Sequence, residues 1–219
     1  MNKYKYVFWD LDGTISDSAL GIINSVSYAL EQMGTELPSG ETLRKFIGPP
    51  LAESFAAYVG YTPEQVEAVV KHFRDFYSRK GIDQNEMYPG IEELLIKLRD
   101  AGFISVLATS KPEPFAKIIL QRYGIDKYFF YIAGSNIDET RTKKDEVIAY
   151  ALESCQITDK SQVVMIGDRM HDVLGAKKNG LDCIGVLYGY GDRQELIDAG
   201  VIAVAADLSE LADILIDAK

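Results

Sequence analysis

The residues of this chain most able to do chemistry are carboxylates that arrive in pairs. The apolar run Tyr6-Val7-Phe8-Trp9 ends abruptly on Asp10-Leu11-Asp12-Gly13-Thr14. A short β-branched and aromatic run of this kind reads as a buried strand. Side chains alternate along a strand, so Asp10 and Asp12 can point the same way at its carboxyl end. In an open α/β sheet that end is where ligands bind. Two close carboxylates repel each other, and a shared proton or a divalent cation relieves the repulsion. Gly13 lets the backbone turn sharply or approach a ligand closely, and Thr14 adds a hydroxyl. An Asp-x-Asp-Gly turn is also ordinary loop punctuation. That explains the turn, but not why an apolar strand should deliver two acids at its tip.

Three later stretches add to this pair. The apolar run Val163 to Ile166 ends on Gly167-Asp168-Arg169-Met170-His171-Asp172, again with two acids, four residues apart at the entry to a helix. Helix starts favour acids, so capping is the alternative there. The strand Phe103 to Ala108 ends on Thr109-Ser110, a hydroxyl and a following amide that could cradle an oxyanion or phosphate. Otherwise one of the two simply caps the helix beyond Pro112. Between these stretches, Lys143-Lys144 opens a helix, where a cation opposes the helix dipole. A lysine facing the carboxylates would offset their repulsion and hold a phosphoryl oxygen. Lys144, three residues before Val147, is preferred to Lys143, and as a surface pair the two would need no explanation. Two acid-tipped strands side by side make an oxygen-rich pocket suited to Mg²⁺.

The elements that must position these residues follow from periodicity. From Tyr88-Pro89-Gly90 onwards, helical and strand patterns alternate: helices over 115–123, 144–154, 170–179, 194–199 and 208–216, and strands over 128–133, 163–166, 184–187 and 201–205. Strict alternation implies a parallel, doubly wound sheet. Between Asp17 and Glu86 the pattern is helical throughout, with Thr62 and Pro63 opening one helix. This block interrupts the order directly after the first strand and reads as an inserted cap. The expected fold class is therefore α/β, with residues 1–15 and 88–219 forming the core domain and residues 16–87 an all-helical cap.

Composition narrows the partners. The chain of 219 residues carries a net charge of −10. The block from Asp17 to Glu86 has 10 acids against 6 bases and the remainder 23 against 17, so both portions are acidic. No basic patch stands out, which argues against nucleic acid. An anionic substrate must then be held by a few local cations or amides. No apolar run is long enough to span a membrane, and no signal-peptide pattern precedes the first strand. Cys155 and Cys183 lack motif spacing and read as buried free thiols in a cytoplasmic protein. A monomer is the default expectation, with a homodimer as the alternative.

Taken together, Asp10-Leu11-Asp12-Gly13-Thr14, Thr109-Ser110, Lys144 and Gly167-Asp168…Asp172 resemble the motifs of the haloacid dehalogenase superfamily of hydrolases. The inserted helical block, Leu43-Arg44-Lys45-Phe46-Ile47-Gly48-Pro49-Pro50-Leu51 and Tyr188-Gly189-Tyr190-Gly191 resemble the phosphoglycolate phosphatase-like branch. The resemblance implies a Mg²⁺-dependent phosphatase acting on a small phosphomonoester such as phosphoglycolate, a sugar phosphate or a nucleotide. Asp10 would be the nucleophile and Asp12 the general acid and base. Mg²⁺ would bind the Asp10 carboxylate, the Asp12 main-chain carbonyl and Asp168, with Asp172 behind them. Thr109, the Ser110 amide and Lys144 would hold the phosphoryl group. Ser110 stands where the branch often has asparagine, and no proline follows Lys144. In the cap, Arg44 is the candidate for contacting substrate; a surface pairing with Glu41 competes with that role. Dehalogenases and phosphonatases lack the second aspartate, so Asp12 disfavours both. A phosphomutase or pyrophosphatase of the same superfamily remains an alternative. A non-catalytic phospho-acceptor domain would carry its acceptor on a later strand.

Overall fold

The computed structural model describes residues 3–138 and 140–217. In chain order, β1 (Tyr6–Trp9) and the two-residue β2 (Ser16–Asp17) precede four helices: α1 (Ala19–Gln32), α2 (Gly40–Arg44), α3 (Leu51–Val59) and α4 (Pro63–Arg79). The two-residue β3 (Glu86–Met87), α5 (Ile91–Asp100), β4 (Ile104–Pro112), α6 (Glu113–Arg122) and β5 (Phe129–Ser135) follow. The chain continues through α7 (Lys144–Ser154), β6 (Val163–Gly167), α8 (Met170–Lys178), β7 (Asp182–Val186), α9 (Arg193–Ala199), β8 (Ala203–Ala205) and α10 (Leu208–Asp217). The chain divides into two compact units, Met1–Ser16 with Met87–Lys219, and Asp17–Glu86.

The first unit is a six-stranded sheet in the order β5-β4-β1-β6-β7-β8, parallel at every pairing. The order reverses at β1, which pairs Tyr6 with Ile104 on one side and with Val163 on the other. Ligand crevices of open α/β sheets lie beyond the carboxyl ends of strands at such a reversal. Phe8, Val106, Met165 and Cys183 share one buried cluster with residues of α7, α8 and α9. By strand alternation Asp10 continues the parity of Phe8, onto the face that α7 and α8 cover. Each apolar side chain buried in this way contributes about 1.5–3 kcal/mol.

The strand β4 runs further than its apolar stretch implies. It pairs Ala108 with Ala133 and then Pro112 with Ser135, so four steps of β4 oppose two of β5. The intervening Thr109-Ser110-Lys111 bow out of the ladder, a bulge that re-aims side chains. Two short strands also flank the helical block, where the sequence shows only helical patterns: β2 and β3 pair with each other.

The second unit is helical. The start of α4 is fixed reciprocally: the Gln65 amide donates to the Thr62 hydroxyl and the Thr62 amide to the Gln65 side chain, with Pro63 at the first position. Its aromatic core includes an edge-on Phe46–Phe55 contact at 4.9 Å between ring centres. Arg44 is exposed on α2. The ion pair with Glu41, at 3.4 Å, is made by Lys45.

Candidate active site

The site is built from the carboxyl ends of β1, β4 and β6 and the first turns of α7 and α8. Hydrogen bonding extends β1 by one residue, the Asp10 amide donating to the Ile166 carbonyl at 2.9 Å, so Asp10 emerges directly from the sheet. The chain then turns: the Gly13 amide donates to the Ser16 carbonyl and the Ser16 amide to Leu11. Gly13 has φ of +87°, and a Cβ there would lie 2.2 Å from the Asp168 carboxylate, so this position requires glycine on both counts.

Asp10, Asp168 and Asp172 are buried, and each offers a carboxylate oxygen within 4.8 Å of the others. Lys144, the first residue of α7 and also buried, sends its Nζ to Asp10 Oδ1 at 2.6 Å and Asp172 Oδ1 at 2.8 Å. It also donates to the Ala108 carbonyl at 3.1 Å, which ties it to β4. Lys143 is exposed and has no such role; its amide donates to the Glu146 carboxylate at 3.2 Å. The Thr14 hydroxyl and the Tyr190 amide donate to Asp168 at 3.3 and 2.7 Å, fixing its orientation. Asp172 does cap α8, accepting from the Arg169 amide through Oδ2, while its Oδ1 faces Lys144.

Electrostatics sharpen the picture. Burial is the largest influence on the Asp10 carboxyl and raises it, Lys144 pulls it down, and Asp172 and Asp12 raise it again, so that on balance it is pushed up to about 6. Asp168 is raised well above the usual carboxylate range, first by burial and then by Asp172 and Asp10. Burial works against the Lys144 charge, but Asp10 and Asp172 outweigh it and its pKa stands above the ordinary lysine value. Three acids face one lysine, leaving the cluster two positive charges short when all are ionised. An all-oxygen donor set of this kind suits a hard divalent cation, so the residues present fit Mg²⁺.

Asp12 takes a different partner from the one its sequence position suggests. Lys111 Nζ reaches both of its carboxylate oxygens at 2.7 Å, and both side chains are buried. Lys111 was not among the residues singled out in the sequence. Thr109 is buried, and its hydroxyl accepts from the Lys111 amide at 3.2 Å. Neither Thr109 nor Ser110 caps α6, whose capping position is Pro112, so the capping alternative falls away. Ser110 is half-buried. His171, also half-buried, is held below the usual histidine value by burial. Both cysteines are free; Cys183 is buried, whereas Cys155 is half-buried.

A doubly wound sheet whose reversal point gathers acids and a lysine is the layout of an α/β enzyme. The chain belongs to the haloacid dehalogenase-like hydrolases, whose family model matches residues 7–186. It is 40% identical to the 5'-nucleotidase of Pseudomonas aeruginosa, over 97% of this chain and 96% of that protein. It is 41% identical to tyrosine-protein kinase PtkA of Mycobacterium tuberculosis, over 95% of this chain and 72% of that protein. A phosphoglycolate phosphatase of Vibrio vulnificus is 31% identical, over 98% of this chain and 97% of that protein. Among solved structures, a predicted phosphatase from Clostridium acetobutylicum superposes with a TM-score of 0.94 at 42% identity, over 98% of this chain and 99% of that one. The α/β fold and the phosphatase branch expected from the motifs are thereby shown. No helix among the described residues is long and apolar enough to cross a membrane.

Proposed function

We propose that the protein is a Mg²⁺-dependent phosphatase that hydrolyses a small phosphomonoester through an aspartyl-phosphate on Asp10. The observation that carries this reading is the buried Asp10–Lys144–Asp172 arrangement, with Asp168 beside it and two positive charges wanting. Asp10 and Asp168, with the Asp12 main-chain carbonyl, would hold Mg²⁺, and Asp172 would support them from behind through Lys144. When bound, the ion supplies charge neutralisation at the phosphoryl oxygens. Lys144, the Thr109 hydroxyl and the Ser110 amide hold those oxygens in line with Asp10.

An Asp10 oxygen attacks phosphorus, and the bond from phosphorus to the ester oxygen breaks. Asp12, released from Lys111 and protonated from solvent, gives that proton to the departing alcohol oxygen. It then takes a proton from the water that attacks phosphorus, which frees Asp10 and releases inorganic phosphate. With both oxygens occupied by Lys111, Asp12 exchanges protons only once that bridge opens. An incoming phosphate ester, itself an anion, competes for Lys111 and opens it. Residues 17–86 act as the cap, with Arg44 as the contact to the non-reacting part of the substrate. Nucleoside monophosphates rank first among substrates, because the 5'-nucleotidase relative matches over nearly the full length of both chains.

The test is hydrolysis of p-nitrophenyl phosphate, nucleotides, phosphoglycolate, sugar phosphates and pyrophosphate, with Mg²⁺ and with EDTA, by wild type, Asp10→Asn and Asp12→Ala. Mg²⁺-dependent phosphate release that disappears in both variants is expected. Turnover surviving in a clean Asp10→Asn preparation overturns the nucleophile assignment. Silence of the wild type across the panel moves the reading to a mutase or a non-catalytic phospho-acceptor.

A further inference from the structure

The segment that delivers Lys144 is held from outside the charge cluster, by one arginine. Arg141 lies three residues before Lys144 and has φ of +49°; among the described residues only Gln156 is the other non-glycine with positive φ. That conformation costs a side-chain-bearing residue about 1–2 kcal/mol and persists only where surrounding contacts enforce it. The contacts are the guanidinium's own. Its Nε donates to the Gly134 carbonyl at 3.1 Å, and Nη2 donates to Asn136 Oδ1 at 2.8 Å. Nη2 also lies 3.8 Å from Glu113, and the guanidinium carbon sits 3.7 Å from the centre of the Tyr150 ring on α7. The Tyr150 hydroxyl in turn meets that of Tyr131 on β5 at 2.7 Å.

These partners belong to the elements that carry the phosphate-binding candidates. Glu113 opens α6, separated only by Pro112 from the bowed Thr109-Ser110-Lys111 stretch. Gly134 is packed so tightly on that stretch that a Cβ would meet the Glu113 backbone at 2.6 Å and the Lys111 carbonyl at 2.7 Å. Arg141 therefore grips β5 where β5 touches the Thr109 segment, and grips α7 a short way along from Lys144. We propose that Arg141 is a positioning residue that sets the spacing between Lys144 and the Thr109–Ser110 segment. This rests on the assignment of those residues to the phosphoryl group. A shift of about 1 Å in such a group can cost on the order of 10²-fold in rate.

The experiment measures kcat and KM on p-nitrophenyl phosphate with Mg²⁺, thermal melting, and the affinity for inorganic phosphate by calorimetry. Wild type, Asp10→Asn, Arg141→Ala, Arg141→Lys and Asn136→Ala are compared. Arg141→Ala is expected to lose roughly 10- to 100-fold in kcat with KM within about threefold, and to bind phosphate more weakly. Added guanidinium should restore part of its kcat. Arg141→Lys should recover little, because an ammonium lacks the planar fork that serves Gly134, Asn136 and the Tyr150 face together. If Arg141→Ala does not fold, Asn136→Ala must show the same kcat-weighted loss, at about threefold or more. The proposal is overturned by kcat and phosphate affinity within about twofold of wild type in the folded variant. A loss confined to KM, or one that vanishes when assayed well below the variant's melting temperature, overturns it equally. Silence of wild type on the ester would sink the reaction assignment instead, and phosphate affinity would still decide the role of Arg141.

Discussion

Replacing Lys111 with methionine tests whether the Lys111–Asp12 bridge is an energetic feature of the site. Lys111 Nζ lies 2.7 Å from both oxygens of Asp12, and the two side chains are only 5% and 9% exposed. Water replaces the lost ammonium poorly at such burial, and Lys111→Met leaves a buried carboxylate without its partner. Breaking a buried pair from one side costs about 3–5 kcal/mol. For a chain of this length each kcal/mol moves the melting temperature by about 2–4 °C, so the expected drop is roughly 6–20 °C. The measurement is thermal unfolding in EDTA, followed by fluorescence of Trp9, the single tryptophan of the chain, buried in β1 next to Asp10. Adding Asp12→Leu to Lys111→Met removes the stranded charge and should return more than half of the lost stability, since an apolar pair of similar volume is often close to neutral. A drop under about 3 °C for the single variant, or a double variant no more stable than the single, refutes the reasoning.

Two further outcomes follow from the same structure. Gly13→Ala forces a Cβ to within 2.2 Å of Asp168 at φ of +87°, so it should lower both stability and Mg²⁺ affinity; a variant that binds Mg²⁺ within twofold of wild type in calorimetry contradicts the close approach. At the surface of the sheet unit, Lys3 and Tyr4 both donate to Asp182 Oδ2, at 2.8 and 2.7 Å. These hydrogen bonds, that from Lys3 first, hold the Asp182 carboxyl below its usual value. A depressed folded-state pKa adds stability above the ordinary carboxylate range and loses it as pH falls through the depressed value. Asp182→Asn should therefore cost at most about 1 kcal/mol near neutral pH, since solvent reaches both side chains of the pair and screens it. The gap from wild type in urea unfolding should narrow as pH drops from about 5 towards 3, and a gap that widens there contradicts the sign.

What could be read from the sequence depended on how local the determining physics is. Asp10, Asp168 and Asp172 stood out because acids at the end of an apolar strand contradict their surroundings, and Lys144 because a cation at a helix start opposes the dipole. The alternation of strands and helices gave the doubly wound order for the same reason: period and polarity are local properties. The two-residue strands β2 and β3 are too short to show a period. Arg141 could not be read either, because its positive φ is enforced by Gly134, Asn136 and Tyr150, none of which is marked by spacing. Lys111 is the instructive omission. The polar Thr109-Ser110-Lys111-Pro112 looked like the end of a strand, and only pairing of Pro112 with Ser135 shows a bulge that turns Lys111 inward. Yet its position one residue past Thr109-Ser110 carried the same signal that had singled out those two. Its inclusion changes the arithmetic of the site. Four carboxylates against Lys144 alone leave a deficit of three charges, which no single divalent ion balances. With Lys111 bound to Asp12, the deficit around Asp10 falls to two, the charge of one such ion.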